Sequence, residues 1–208
     1  VLENCRLNNV KKVVFAASSS AYGDTEVLPK DISMKPSPLS PYAVQKLTGE
    51  MYCKTYFDNF GLRTTSLRYF NVYGPHQDPN SEYSAVIPIF IRKALASKPI
   101  TIFGDGSTSR DFTFIEDVIQ ANLRAALSTQ SDGHVLNVAY GDRFTLTELA
   151  NKIIDNIGSN STIEYSDFRK GDVLHSLADL STTRDLINYD PQFDLSAGLA
   201  KTIDFYKK

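Results

Sequence analysis

Apolar residues in this chain fall into two rhythms that alternate from one end to the other. After the basic pair Lys11–Lys12, Val13 to Ala17 run without a polar break, as a strand buried on both faces does. Ser40 and Pro41 then mark a helix start, and Tyr42, Leu47, Met51, Tyr52, Tyr56 and Phe60 recur at helical spacing until Gly61. Thr64 to Tyr69 reads as the next strand. Further on the pattern predicts a helix from about Tyr83 to Ser97, a strand ITIFG, and a strand-like DFTFI from Asp111. A helix from Glu116 to Leu127 and a strand HVLNVA follow. Thr145 to Ile157 reads as a helix whose Thr145 and Glu148 have capping-box spacing, before a strand TIEYS and a last helix from Ser196 to Tyr206.

Strand, connection, helix and strand again predict an α/β chain. In the doubly wound arrangement ligands gather beyond the carboxyl ends of the strands, where Ser18 and Asn71 both fall. The loops rich in Pro and Gly, DISMKPSPLSP, YGPHQDPN and FGDGS, are expected to line the site. A dinucleotide fold also needs a strand, a Gly-rich turn and a helix. The only GxG here is Gly104 to Gly106, which lacks the third glycine and the right flanks. Because the chain opens on what reads as the helix before a mid-sheet strand, two or three βαβ units, about 100 residues at about 30 each, are expected ahead of Val1.

Composition narrows the partners. The 208 residues are 42% hydrophobic, enough for a substantial core, and 22 basic against 24 acidic residues give a net charge of −2. No field is aimed at nucleic acid or an anionic membrane. Cys5 and Cys53 stand alone, without CxxC spacing, and His76, His134 and His175 are too scattered to suggest a metal. With neither a long apolar run nor a signal-like start, a soluble, cytoplasmic protein is expected.

Tyr42 and Lys46 lie one turn apart on a predicted helix and share a face. An ammonium near a phenol favours the ionised form, which suits a group that must move a proton. The wider context is AASSSAYG at 16–23, PLSPYAVQK at 38–46, LRYFNVYGP at 67–75 and RDFTFIED at 110–117, in that order. Together these motifs resemble the extended short-chain dehydrogenase/reductase superfamily, in its branch of NAD-dependent nucleotide-sugar epimerases and dehydratases. The resemblance spans essentially the whole chain.

It implies the later part of a Rossmann-type sheet, residues 1–72 and 111–142, with a smaller α/β nucleotide-sugar subdomain, residues 73–110 and 143–208. It implies Tyr42 as acid/base, Lys46 on the nicotinamide ribose of NAD, and Ser18 hydrogen-bonded to the reacting sugar hydroxyl. Ala16, Ala17 and Tyr69 would lie by the cofactor. Asn71 and Arg110 with Arg169 would hold the diphosphate, Ala85 and Val86 would pass the sugar and uridine, Phe103 would stack on uracil, and Asp172 would accept from the ribose. Ser19 and Ser20 also read as polar residues ending a strand, although Ser20 matches a position facing the sugar.

Sugar 4,6-dehydratases carry Asp-Glu where this chain has Ser19 and Ser20, so the resemblance favours a reaction needing only reversible oxidation at C4. Ser176 stands where epimerases restricted to UDP-glucose have a bulky Tyr, which leaves room for an N-acetyl group. With QDPN, AVIP and DFRKGDVLHSLAD, it makes the UDP-N-acetylglucosamine 4-epimerases the nearest subgroup. A UDP-glucose or UDP-glucuronate epimerase, a reductase or dehydratase on the same scaffold, and a non-catalytic nucleotide-sugar-binding piece remain open. The family also implies a homodimer through a bundle that contains the Tyr42 helix.

Overall fold

A computed structural model describes residues 1–78, 86–168 and 173–207. The strand β1 (Val13–Ser18) pairs in parallel with β2 (Thr64–Tyr69), which pairs in parallel with a later strand, His134–Val138. Ser18 stands opposite Tyr69, and Tyr69 opposite Val138, so the three carboxyl ends finish together. That shared edge is where an α/β fold puts its ligand. Central β2 is buried along nearly its whole length, as the apolar rhythm requires. Among the described residues β1 lies at one edge of this sheet, with Val13 to Phe15 half-buried and Ala16 exposed where a doubly buried strand was expected.

Helix α1 (Leu2–Leu7) precedes β1, and α2 (Pro41–Phe60) crosses from β1 to β2. The Ser40 hydroxyl accepts the Ala43 N–H, Pro41 occupies the first turn, and Gly61 ends α2 in a left-handed conformation at φ 68°. Its buried residues are Ala43, Glu50 and Cys53. Gly49 lets the helix sit close on β1, since a Cβ there would meet the Phe15 ring at 2.2 Å. The aromatic stripe read from the spacing therefore faces outward, with Tyr42, Met51, Tyr52 and Phe60 all exposed.

Past β2 come β3 (Val72–Tyr73), α3 (Val86–Leu95), β4 (Ile100–Phe103), β5 (Ser109–Arg110) and β6 (Thr113–Phe114). The expected continuous strand from Asp111 is divided. β5 pairs antiparallel with β8 (Phe144–Thr145), while β6 pairs in parallel with β3, and the chain changes partners at Asp111. Helix α4 (Ile115–Leu127) leads to β7, the strand His134–Val138 described above.

After β8 the order is α5 (Leu146–Ile157), β9 (Ile163–Ser166), α6 (Ser181–Ile187) and α7 (Leu195–Tyr206). The capping box of α5 is present in full: Thr145 accepts the Glu148 N–H, and the Glu148 carboxylate accepts the Thr145 N–H. Helix α6, not foreseen, is short and polar. Its Thr183 hydroxyl donates to the Asn137 carbonyl, a tertiary tether that local pattern does not reveal.

Two apolar clusters divide the interior. One gathers Leu67, Leu136 and Val138 of the parallel sheet and Phe70 just past β2 with Val118 and Ala121 of α4 and Ile187 of α6. The other gathers Ile87 and Ile91 of α3, Ile100 and Ile102 of β4, Ile153 of α5 and Leu199 of α7.

Candidate active site

At the carboxyl ends of β1 and β2 lies a cleft of about 490 Å³. Ser18, Ser20, Tyr42, Lys46, Asn71 and Ser176 all line it. Each is placed by a local feature. Ser18 ends β1 and caps the 3-10 turn Ser19–Tyr22, its hydroxyl oxygen accepting the Ser20 N–H at 3.2 Å and the Ser20 hydroxyl at 2.9 Å. Gly23 closes that turn at φ 66°, where a Cβ would meet the Ser37 carbonyl oxygen at 2.1 Å.

Tyr42 sits in the first turn of α2, 41% exposed and open to the cleft. Lys46 follows one turn later and its Nζ donates to the Ala16 carbonyl at 2.8 Å, 5.7 Å from the Tyr42 ring centroid. An ammonium donates up to three hydrogen bonds, so this contact orients Lys46 without exhausting it. Ala17 and Tyr69 line the same cleft, with the Tyr69 hydroxyl donating to Asn122 at 2.9 Å and burial pushing that phenol's pKa up. Ala16 enters only through its carbonyl, and Ser19 lines the cleft beside Ser20.

A second cleft, of about 470 Å³, adjoins the first. Asn71 and Arg110 line both. Val86, Phe90, Phe103 and Phe168 give the second cleft apolar walls. Asn71 has the unusual φ of 25°. Its Nδ2 donates to the Asp111 carbonyl at 3.0 Å and to the Ser176 hydroxyl at 3.1 Å. Arg110 donates to the Leu174 carbonyl at 2.9 Å, which holds its guanidinium between the two clefts. Ser176 is only 7% exposed and also accepts the Asp111 N–H, at 3.3 Å. Ala85, Arg169 and Asp172 lie outside the described residues.

Three contributors escaped the sequence reading. Asp111 is fully buried, and its carboxylate accepts the N–H groups of Tyr140, Gly141 and Ala178 at 3.1–3.2 Å. Burial pushes its pKa up to about 7, opposed by those three donors. It thereby ties the Arg110 strand to the segment that carries Ser176. A charged residue at the head of the strand-like run DFTFI was the available signal. Lys30 lines the first cleft while buried, its Nζ donating to the Thr25 carbonyl and its backbone bridging to Ala178. Gln77 lines it too, with a buried Oε1 that has no partner among the described residues.

Gly104 and Gly106 occupy the β4–β5 loop at φ 89° and 83°, packed on Phe168 and Thr147. They serve the second cleft's neighbourhood rather than a strand-to-helix turn. Among the described residues no group of three or more His, Cys, Asp or Glu side chains is placed to hold a metal ion, and no helix is long and apolar enough to cross a membrane.

The model of the NAD dependent epimerase/dehydratase family matches residues 1–139. A UDP-glucose 4-epimerase of Mycolicibacterium smegmatis is 36% identical over 99% of this chain and 65% of its own length. Among solved structures, the UDP-N-acetylglucosamine 4-epimerase of Methanobrevibacter ruminantium, in complex with UDP-N-acetylmuramic acid, superposes with a TM-score of 0.92 at 41% identity. That match covers 98% of this chain and 65% of that one. The UDP-glucuronic acid 4-epimerase of Bacillus cereus, in complex with UDP-glucuronic acid and NAD, has a TM-score of 0.91 at 33% identity, covering 99% and 64%. The chain thus spans less than two thirds of the length of each of these relatives. Family model, relatives and fold agree, and the chain belongs to the NAD dependent epimerase/dehydratase family.

Proposed function

We propose that this chain serves the NAD-dependent 4-epimerisation of a UDP-hexose, with UDP-GlcNAc and UDP-GalNAc as the pair interconverted. The observation that carries the reading is the convergence of Ser18, Tyr42, Lys46 and Ser176 on one cleft that Asn71 and Arg110 join to an apolar neighbour. A nucleotide sugar has the same three-part form: a polar sugar, a diphosphate and a flat base.

In this reading the sugar lies in the first cleft with its C4 hydroxyl between Ser18 and Tyr42. Tyr42 takes the hydroxyl proton and later returns it, while Ser18 fixes the oxygen. Lys46 fits the nicotinamide ribose, because Ala16 already orients its ammonium at the strand ends where α/β folds place that group. NAD, when bound, supplies the hydride acceptor that C4 requires. Asn71 and Arg110 bind the diphosphate, a role suited to the planar guanidinium, together with Arg169. Phe103 covers the uracil, Val86 follows Ala85 along the sugar and uridine, and Asp172 takes the ribose. The absence of a carboxylate at Ser19 and Ser20 removes the acid and base that a dehydratase uses. Ser176 leaves the space an N-acetyl group occupies.

The residues implied to form a Rossmann-type portion, 1–72 and 111–142, carry the proton-transfer groups. Those of the nucleotide-sugar subdomain, 73–110 and 143–208, carry the base-side contacts. Exposed Val44, Met51 and Tyr52 on α2 support a homodimer through that helix, since apolar side chains so exposed gain by burial. Sedimentation at micromolar concentration tests this.

Following UDP-GalNAc by NMR after adding UDP-GlcNAc to the intact protein tests the reaction. Product that disappears with Tyr42→Phe supports the proposal, and a wild type inert toward UDP-sugars contradicts it. Calorimetry with UDP-sugar and with NAD separately tests which of the two this chain binds.

A further inference from the structure

The three pieces of the candidate site come from distant parts of the chain, yet one buried polar chain joins them. It begins on α2. Glu50 lies one turn beyond Lys46, which lies one turn beyond Tyr42, so all three share a face of the helix. The Glu50 carboxylate accepts two hydrogen bonds from Arg68 of β2, at 2.9 and 2.7 Å, with both side chains only 4% exposed. The Arg68 guanidinium carbon is 4.5 Å from the centroid of Tyr22, the residue that ends the serine turn. Tyr22 donates to Asn137 of β7 at 2.7 Å. Asn137 in turn donates to the Lys30 carbonyl at 2.8 Å and the Asp179 carbonyl at 3.1 Å, where Lys30 pairs with the segment following Ser176.

We propose that Glu50, Arg68, Tyr22 and Asn137 are positioning residues that lock the Tyr42 helix, the serine turn and the Ser176 segment into one register. A buried ion pair is a poor way to add stability, because desolvation offsets most of its attraction, and apolar residues of similar volume often do as well. It is a good way to fix orientation. A bidentate carboxylate–guanidinium pair tolerates little rotation, and turning α2 by one residue, about 100°, would carry Lys46 away from the Ala16 carbonyl. Close packing of Gly49 on Phe15 fixes how near α2 lies to the sheet, and the ion pair fixes how it is turned. None of the four residues needs to touch substrate.

The turnover readout rests on the epimerase reading, whereas the Lys46–Ala16 contact can be measured without it. The test is the double variant Glu50→Leu/Arg68→Met, assayed in the intact protein for melting temperature, UDP affinity, kcat and KM, with its crystal structure. The expected result is melting within a few degrees of wild type, unchanged UDP affinity, kcat lower by roughly tenfold or more, and a lost 2.8 Å contact between Lys46 and Ala16. Unchanged kcat with that contact intact overturns the proposal. Should the double variant fail to fold, Tyr22→Phe keeps the ring over Arg68 and removes only the hydroxyl, which donates to Asn137 and also interacts with Arg68. A several-fold lower kcat at unchanged KM and melting temperature then supports the proposal, and wild-type kcat overturns it. A wild type inert toward every UDP-sugar sinks the functional reading alone, and the crystallographic contact still decides the positioning.

Discussion

The parallel-sheet half and the α3–α5 half of this molecule have interiors of different character. Around β4, α3, α5 and α7 the core is mainly Ile, Leu, Phe and Ala, and its Tyr73 and Thr202 hydroxyls bond only to nearby backbone carbonyls. Around β1, β2 and β7 apolar residues share the interior with Glu50, Arg68, Asn137 and the Tyr22 hydroxyl, each hydrogen-bonded. Burying such groups costs free energy unless they are paired, and paired groups fix direction as well as distance. The half that would move protons is the half held by directional bonds. The other half presents an apolar wall, enough for a flat base whose exact angle matters less.

If that contrast is sound, substitutions on the sheet side should change rates and those on the apolar side should change affinity. Tyr42→Phe is the largest case, with kcat expected to fall roughly 100- to 10,000-fold at nearly unchanged UDP affinity, measured by steady-state kinetics and calorimetry. Ser176→Tyr should fill the first cleft and lower kcat/KM for the N-acetylated sugar by about 1–3 kcal/mol relative to UDP-glucose, read by assaying both substrates. Equal losses on both sugars would place Ser176 away from the C2 substituent.

Asp111→Asn puts an amide among three backbone N–H donors, leaving at least one unpaired at about 1–3 kcal/mol. KM for the UDP-sugar should rise and kcat should hold. The same variant reports the carboxyl's titration. Its folded pKa, about 7, lies above that of an unfolded Asp, so the folded state binds the extra proton. Wild type should therefore lose stability relative to Asp111→Asn as pH rises from about 4 to 7, with the gap level above that. Denaturant melts across that range measure it, and a flat difference means that the three N–H donors keep Asp111 ionised throughout. Phe103→Ala is the smallest expected effect, weakening UDP by about 0.5–1.5 kcal/mol with little change in kcat.

Local signals carried much of the fold into the sequence. The Ser40–Pro41 start and Gly61 stop of α2, and the Thr145–Glu148 box of α5, use residues within one turn of each other. Helix α6 and the division between β5 and β6 were hidden because Asn137, β8 and β3 impose them from afar. The candidate site divides the same way. Ser18, Tyr42, Lys46 and Ser176 were named from motifs, and the structure brings them to one cleft. Glu50 and Arg68 passed unnoticed because a charged pair in sequence reads as two solvated residues until the fold buries it. The direction in which the α2 aromatics turn was not legible for a related reason. Helical period marks a face, and only the tertiary partner decides whether that face points inward.

The central claim is that this cleft removes hydrogen from C4 of a UDP-sugar and returns it to the opposite face. UDP-GlcNAc carrying deuterium at C4, incubated with the intact protein and followed by NMR, tests that most directly. The account predicts UDP-GalNAc that retains deuterium at C4, and no such product from Tyr42→Phe. Epimerised product whose C4 deuterium has washed out into water, or no epimerised product at all, would contradict it.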